Sequence, residues 1–348
     1  MQLHSLQTRS FRNLAPLKVV PGPRFNVLWG DNAQGKTNFL EAVYLSACLR
    51  SFRASRVAEM IAFGADQARL WARVSCGELT HELELELRPG TKRALVDGKA
   101  VRSSASYLGR LNVVLFCPDD LQLPRGGPSG RRRLLDRAIA NLWPAYVDLG
   151  RDYLRVLQSR NRVLKQPPGD AEPLLATYDT QLAELGGRVV ATRLRFVAGL
   201  APRFAETFAH IARGGSAGAL VYRADESVLE RGDSVAAQQQ LLREQLHRTR
   251  RADMARQATS AGPHSHDLEF TLDGRSTRSF GSQGQLRALL LSFKITQIID
   301  SFEKLGEYPV LLLDDVSSEL DLHRNTYLFE FIEGISCQTF ITTTHREQ

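Results

Sequence analysis

The chain has 348 residues, 43% of them apolar and 24% charged, with a formal net charge of +7. That is room for two domains with cores of their own, and the longest apolar runs, such as ALLLSF (288–293), fall far short of the ~18 residues that cross a bilayer. The opening MQLHSLQTRSFRN lacks the basic and apolar regions of a secretory signal, so a cytoplasmic protein with no membrane partner is expected.

Short strands open the chain: LHSLQT, LKVV and FNVLW, with PGP (21–23) turning it between the last two. FNVLW runs into GDNAQGKTN (30–38), and Phe39, Leu40, Val43, Tyr44 and Ala47 then recur at helical spacing across 37–49. HELELELRPG (81–90) alternates strictly, with Leu83, Leu85 and Leu87 on one face and Glu82, Glu84 and Glu86 on the other. ALVDGKAV (94–101) turns at Asp97-Gly98, so the two stretches predict an antiparallel meander with one wet face. LNVVLFCP (111–118) reads as a buried strand that Pro118 ends. From Pro124 the periodicity is helical, with Ser129 as N-cap; QPPGDAEP (166–173) interrupts it, and a second long helical pattern covers 174–212. RGGSAG (213–218) breaks the chain before a strand, ALVYRA (219–224), a helix over 238–256 and a hairpin over 267–280 turned at Asp273-Gly274. The last third alternates helix (283–302), strand VLLLD, helix (324–335) and strand TFITTT. The predicted organisation is an α/β head in two parts, 1–123 and 214–348, with an inserted helical arm over 124–213.

Gly30, Gly35, Lys36 and Thr37 match the phosphate-loop pattern G-x-x-x-x-G-K-[ST] (Walker A), in the strand–loop–helix context it requires. Backbone N–H groups of the loop, through Asp31, Asn32, Ala33 and Gln34, wrap phosphates, and the following helix points its positive end at them. Lys36 would reach the β- and γ-phosphates and Thr37 would offer its hydroxyl to Mg²⁺. In PVLLLDDVSSELD (309–321) a buried parallel strand delivers Asp314 to its C-terminal end, where such a carboxylate assists Mg²⁺. Asp315, next to it, is placed to orient or deprotonate the attacking water. Ser282 in FGSQGQLR stands ahead of an apolar helix as an N-cap, and by itself it means no more than that. Cys48, Cys76, Cys117 and Cys337 are scattered without a C-x-x-C pair, which suits neither zinc nor a disulfide framework. Arginine supplies 38 of the 45 basic side chains; a basic balance fits a nucleic-acid partner, but a GC-rich genome produces the same composition.

The order GKT, SQGQ, LLLDD, SSELD, TTTH resembles the ABC-type ATPase head. Ser282, Gly284 and Gln285 fit that family's signature, while Gln283 replaces its first glycine and Gly281 its leucine. The resemblance implies an ATP-dependent homodimer in which the signature serine of one subunit touches the γ-phosphate held by the other, with Asp321 on the adjoining loop and His345 as the switch histidine. Asn38, followed by FLEA, resembles the SMC-like DNA-repair ATPases, and an interval of 246 residues (282 − 36) leaves room for an arm that a transporter head lacks. Among these the chain resembles the RecF family nearly end to end, through FRNL (11–14), SFR (51–53), VVLFCPDDLQL (113–123), RRRLLD (131–136) and GPH (262–264). That implies an ATP-dependent clamp on DNA at gaps and single-/double-strand junctions. It also implies weak DNA-stimulated ATPase activity, with RecR and RecO as partners in loading RecA.

The chain departs from the family at Ser265-His266-Asp267, where R-D-D is usual, and at Asp315, where most ABC-type heads carry glutamate one methylene longer; slow turnover is expected. His264, His266 and Asp267 have ligand-like spacing but read as a turn entering a strand. Arg53 and Arg56, after the phosphate-loop helix, and Arg131, Arg132, Arg133 and Arg137, opening the arm, are candidates for DNA phosphates; a charge run opening a helix also reads as a solvated face. Competing readings are a transport ATPase subunit, a structural DNA binder that uses ATP only to dimerise, and a small-molecule kinase.

Overall fold

The computed structural model describes residues 1–166, 168–212 and 215–344. The chain divides into two compact units, a head built mainly of 1–123 and the segment from Ser282 onward, and an arm built of 124–209 and the segment ending at Gly281. In the head, β1 (Gln2–Arg9), β2 (Leu17–Val19) and β3 (Phe25–Trp29) lead into α1 (Lys36–Cys48). Then come β4 (Ala68–Cys76), β5 (Leu79–Arg88), β6 (Thr91–Val96), β7 (Lys99–Ala100) and β8 (Val113–Phe116). The arm is built on α2 (Pro128–Leu142), α3 (Ala145–Val163), α4 (Pro168–Ala212), β9 (Gly218–Arg223), α5 (Glu226–Glu230), α6 (Val235–Arg256), β10 (Asp267–Leu272), β11 (Arg275–Ser276) and α7 (Thr277–Phe280). The head resumes with α8 (Gln283–Leu305), β12 (Val310–Asp314), α9 (Val316–Glu319), α10 (Leu322–Gly334) and β13 (Thr339–Thr343).

The head holds an antiparallel sheet, ordered β2-β1-β4-β5-β6-β7, and a parallel one, ordered β3-β13-β12-β8. The alternation in β5 works as expected: Leu83, Leu85 and Leu87 are buried, while Glu82 is exposed and Glu86 meets Arg69 at 3.1 Å across the strand pair. Helix α1 packs on β4 and β5 of one sheet and on β8, β12 and β13 of the other. Phe39, Leu40, Ala42, Val43, Tyr44 and Leu45 are all buried, and a helix apolar on every side is stable only between two layers. Cutting Leu40 or Leu45 back to alanine there costs about 2–5 kcal/mol. One face of the edge strand β3 is open, with Val27 and Trp29 more than half exposed.

The arm ends later than its helical pattern suggests. The return to the head expected at 214 falls at Ser282, because β9 pairs along its whole length with β10, and β10 with β11, in a sheet closed within the arm. Pro144 splits the first helical run into α2 and α3, as a residue with no N–H to donate must. Proline also moves two starts: Pro128 opens α2 behind Gly127 rather than Ser129, and Pro168 opens α4 inside a stretch that reads as loop, since the first helical position has no hydrogen bond to lose. The hairpin over 267–280 stops at Ser276, whose hydroxyl accepts the N–H of Arg278 and caps α7.

Three buried arginines fasten the arm. Arg160 donates to Asp179 (2.7 Å) and to Asp253 (2.8 Å), joining α3, α4 and α6. Arg193 donates to both oxygens of Asp136 at 2.9 Å and to the carbonyl of Pro263 at 2.7 Å. Arg131 donates to Asp267 at 3.1 and 2.6 Å. Beside them, Tyr153 meets His264 Nδ1 at 2.6 Å and Tyr222 meets His266 Nδ1 at 2.9 Å. His264 Nε2 donates to the Thr259 carbonyl at 2.9 Å, so Nδ1 accepts from Tyr153 in the neutral ring.

Burial, then the positive charge of Arg193, pushes His266 down from its ordinary 6.5 to about 3, and burial lowers His264 as well. Between those values the unfolded chain takes up a proton that the folded arm refuses, so stability is whole above 6.5 and falls as pH drops towards 3. The urea midpoint of the protein is expected to fall between neutral pH and about pH 5, and His266→Gln to flatten that decline; the same slope in both proteins would contradict it.

Candidate nucleotide-binding site

Three parallel strands end side by side. β13 pairs with β3 as far as Trp29 and with β12 at Asp314↔Thr342. The loop after Trp29, the Asp314 carboxylate and the Thr342 hydroxyl therefore gather outside the C-terminal strand ends, where open parallel sheets take ligands. The cleft at this edge has a volume of about 340 Å³ and is lined by the loop from Asn32 to Asn38 together with Asn13, Arg53, Asp315, Thr342 and Thr344.

The loop requires its glycines. Gly30 and Gly35 stand at φ of 147° and 94°, which glycine alone enters freely. A Cβ on Gly35 would lie 2.8 Å from Leu14 Cδ2, and one on Gly30 would run into the Gln34 side chain. Lys36 Nζ donates to the carbonyls of Gly30 at 2.6 Å and Asp31 at 2.8 Å. Thr37 Oγ1 and Thr342 Oγ1 both donate to Asp314 Oδ1 at 2.9 Å. Burial raises the Asp314 carboxyl above the usual carboxylate range, and those two hydroxyls oppose the rise. A hydroxyl and a carboxylate at one point, with room for phosphate oxygens, is the donor set Mg²⁺ takes at nucleotide sites. Asp315 holds φ 51° and donates its N–H to Thr342 Oγ1 at 2.9 Å.

A second layer fixes the cleft from behind. Glu41, wholly buried in α1, accepts from Arg12 Nε at 2.9 Å, from Arg12 Nη2 at 2.7 Å and from the Ser51 hydroxyl. Ser51 Oγ in turn accepts the N–H groups of Arg53 (2.9 Å) and Ala54 (2.7 Å). Each anchored residue presents a neighbour to the loop. Asn13 Nδ2 donates to the Ala33 carbonyl at 3.2 Å, and Asn38 Nδ2 donates to Asn13 Oδ1 at 2.6 Å. From the other side Arg53 Nη1 donates to Asn38 Oδ1 at 2.9 Å. Asn13, Thr342 and Thr344 are cleft residues that motif spacing did not single out; FRNL and TTT contained them, but neither marks which residue turns inward.

Ser282, Gln283, Gly284 and Gln285 do not line the cleft. Ser282 caps α8 as expected: its Oγ accepts the Gln285 N–H at 3.2 Å while Gln285 Oε1 accepts the Ser282 N–H at 2.9 Å, a reciprocal box. Asp321 caps α10, accepting the Arg324 N–H at 3.0 Å, and pairs with the Arg324 guanidinium. A Cβ on Gly284 would rest 3.4 Å from that guanidinium, and Arg287 of α8 bridges Glu319 at 2.9 Å. The signature-like turn and the SSELD segment thus form one block of the head, and the phosphate loop and the Asp314–Asp315 pair form another. His345 lies outside the described residues.

Arg53 and Arg56 are exposed, as DNA candidates must be. Arg131 is not: it is fully buried on Asp267, so its place among the DNA candidates is corrected. Three consecutive arginines point 100° apart on a helix, and only one face of α2 is wet. Arg132 is half-buried, its Nη1 donating to the His266 carbonyl at 2.8 Å, and Arg133 is exposed. With Asp267 taken by Arg131, and His264 and His266 by tyrosines, the described residues hold no group of three or more His, Cys, Asp or Glu poised for a metal. Among the described residues no helix is long and apolar enough to cross a membrane.

A phosphate loop, a strand-end aspartate and a capped signature-like helix on paired sheets define an ABC-type ATPase head, here carrying an inserted arm. The family profile described as RecF/RecN/SMC N terminal domain matches residues 2–348. The DNA replication and repair protein RecF of Myxococcus xanthus is 42% identical over 348 residues, covering 99% of this chain and 91% of its own. Two structures of the recombination mediator RecF of the RecFOR pathway, with ATPrS and with ATP, superpose with TM-scores of 0.91 and 0.89. Both are 31% identical and cover 99% of this chain and 93% and 92% of theirs. The chain belongs to the RecF family of SMC-type ATPases.

Arg12→Met would leave the buried Glu41 carboxylate without its guanidinium, and removing one partner of a buried pair costs about 3–5 kcal/mol. Chemical denaturation is expected to show that loss, and the double change with Glu41→Leu to recover much of it. A single variant as stable as the parent would remove Glu41 from this anchoring role.

Proposed function

We propose that this chain is an ATP-dependent DNA-binding clamp of recombinational repair, in which ATP closes two copies head to head. The observation that carries it is the separation of the two half-sites on one head. The phosphate loop and Asp315 line one cleft, with Asp314 held against its Thr37 and Thr342, while Ser282, Gly284, Gln285 and Asp321 gather elsewhere. A second copy is what would bring a signature block to a filled cleft.

Lys36 would exchange the carbonyls of Gly30 and Asp31 for β- and γ-phosphate oxygens, an exchange of one set of acceptors for a more strongly charged one. Thr37 and Asp314 would hold Mg²⁺, which supplies charge neutralisation on the phosphates. Asp315, beside them in the cleft, would orient or deprotonate the attacking water. Its shorter side chain, on a backbone tied to Thr342, fits the slow turnover of a switch. On this reading the protein acts in the cytoplasm on gapped and single-/double-strand junction DNA, with RecR and RecO as partners in the loading of RecA, and hydrolysis opens the clamp. His345 would complete the site as the switch histidine.

Sedimentation with and without ATP and gapped duplex tests dimerisation, DNA binding and their coupling together. Lys36→Met is expected to lose ATP binding and the dimer. Asp315→Asn is expected to keep the dimer and stop phosphate release, and undiminished release would sink the assignment of the base. Ser282→Arg should still bind ATP as a monomer; dimers formed normally by that variant would argue against closure through the signature block.

A further inference from the structure

Along the arm, some exposed basic side chains are answered by acids and others are not. Arg151 pairs with Asp148 at 2.7 Å, Arg155 with Asp152 at 3.6 Å and Arg195 with Asp233 at 2.7 Å, and Arg223 pairs with Glu269. Helix α6 gathers several of the unanswered ones along one helix. Arg243, Arg248, Arg251 and Arg256 are exposed and have no acidic partner among the described residues. Only two acids lie on this helix from Gln238 on: Asp253 is buried on Arg160, and Glu244 accepts a hydrogen bond from Gln240 at 3.0 Å.

At 100° per residue, Arg243, His247 and Arg251 advance by only about 40° at each step, over about 12 Å of helix, and Arg248 lies about 60° further round. Arg256 stands in the last turn, where a cation is explained by the helix dipole; the others stand too far back for that. The row rests on a rigid base. Arg250, on the same helix, is tied to Asp179 at 2.6 Å, and Arg160 bridges Asp179 to Asp253 beneath it. No exposed large apolar side chain occurs between Gln238 and Gln257. That speaks against a protein partner, whose interface has an apolar or aromatic centre. A cationic row interrupted only by Glu244, with polar gaps, suits a phosphodiester backbone.

We propose that the α6 face carrying Arg243, Arg248 and Arg251 is a docking surface for the phosphate backbone of a nucleic acid, making sequence-independent contacts. The proposal rests on the reading of the chain as a DNA-binding clamp and adds to it a place on the arm. The three arginines lie outside the nucleotide site, so their removal is expected to leave ATP binding as it was.

The test is fluorescence anisotropy of a labelled duplex with the full chain and ATP, across about 50–200 mM salt. At ~0.9 per phosphate contact, Arg243→Ala, Arg248→Ala and Arg251→Ala together are expected to weaken binding and lower the log–log salt slope by about 2.7. Lysine at the same three positions is expected to restore the slope, and Arg151→Ala with Arg155→Ala to change nothing. A triple variant with the parent's affinity and slope overturns the proposal while the clamp reading stands. So does weaker binding at an unaltered slope, which marks an indirect effect. A parent protein that binds no duplex in the presence of ATP overturns the clamp reading itself.

Discussion

Two hydroxyls, from Thr37 and Thr342, donate to a single oxygen of Asp314 at 2.9 Å each, and this shared acceptor fastens three segments remote in sequence. A carboxylate taken from water costs several kcal/mol unless it is hydrogen-bonded, so the buried end of β12 is stable only with β13 and α1 held in this register. The two-sided packing of α1 follows from the same demand. Its first turn must reach Asp314 while its body lies between two sheets, and the apolar residues on every side of the helix make both possible. The left-handed glycines then follow, since the chain has only the loop from Gly30 to Gly35 in which to turn from β3 into that helix.

Glu41 is the second fastening, and a less obvious one. A glutamate in the middle of a buried apolar helix is costly, and here the cost is offset by a two-pronged guanidinium and a hydroxyl. Its partners come from the segments on either side of α1, and each carries a residue that reaches the cleft, Asn13 on one and Arg53 on the other. Asn38 joins the two. Asn38 and the Glu41 of FLEA thus have a mechanical meaning. They tie the loop to Arg53, an exposed arginine that lines the same cleft.

What could be read in advance followed strong local rules. The phosphate loop, the alternation in β5, the cap at Ser282 and the apolar β12 ending in Asp314 each depend on neighbours a few residues away, and each stands where its pattern put it. The departures depend on distant partners. Where the arm ends is decided by β10 pairing with β9, some 50 residues upstream (267 − 218 = 49), and no local signal at residue 214 announces it. Which arginine of Arg131, Arg132 and Arg133 turns inward is decided by Asp267, more than a hundred residues on. Thr342 and Asn13 were hidden for the same reason: strand register and a remote ion pair place them.

The electrostatics of the two blocks of the head differ in kind. The phosphate-loop cleft brings together a lysine, a helix start and the paired acids Asp314 and Asp315, so its charge is settled only by what fills it. The signature block is already satisfied within itself. Asp321 is neutralised by Arg324, Glu319 by Arg287, and the capping box takes up the Gln285 N–H. A helix start has further N–H groups with no partner inside the helix, and at α8 these belong to Gln283 and Gly284, beside an exposed Ser282. Such an end attracts an anion, and in the empty cleft the cations Lys36 and Arg53 stand against the acids Asp314 and Asp315. On the proposed reading, a bound triphosphate makes the cleft negative, and the attraction between two heads grows. The dependence of closure on ATP then draws on the fixed charges of the fold.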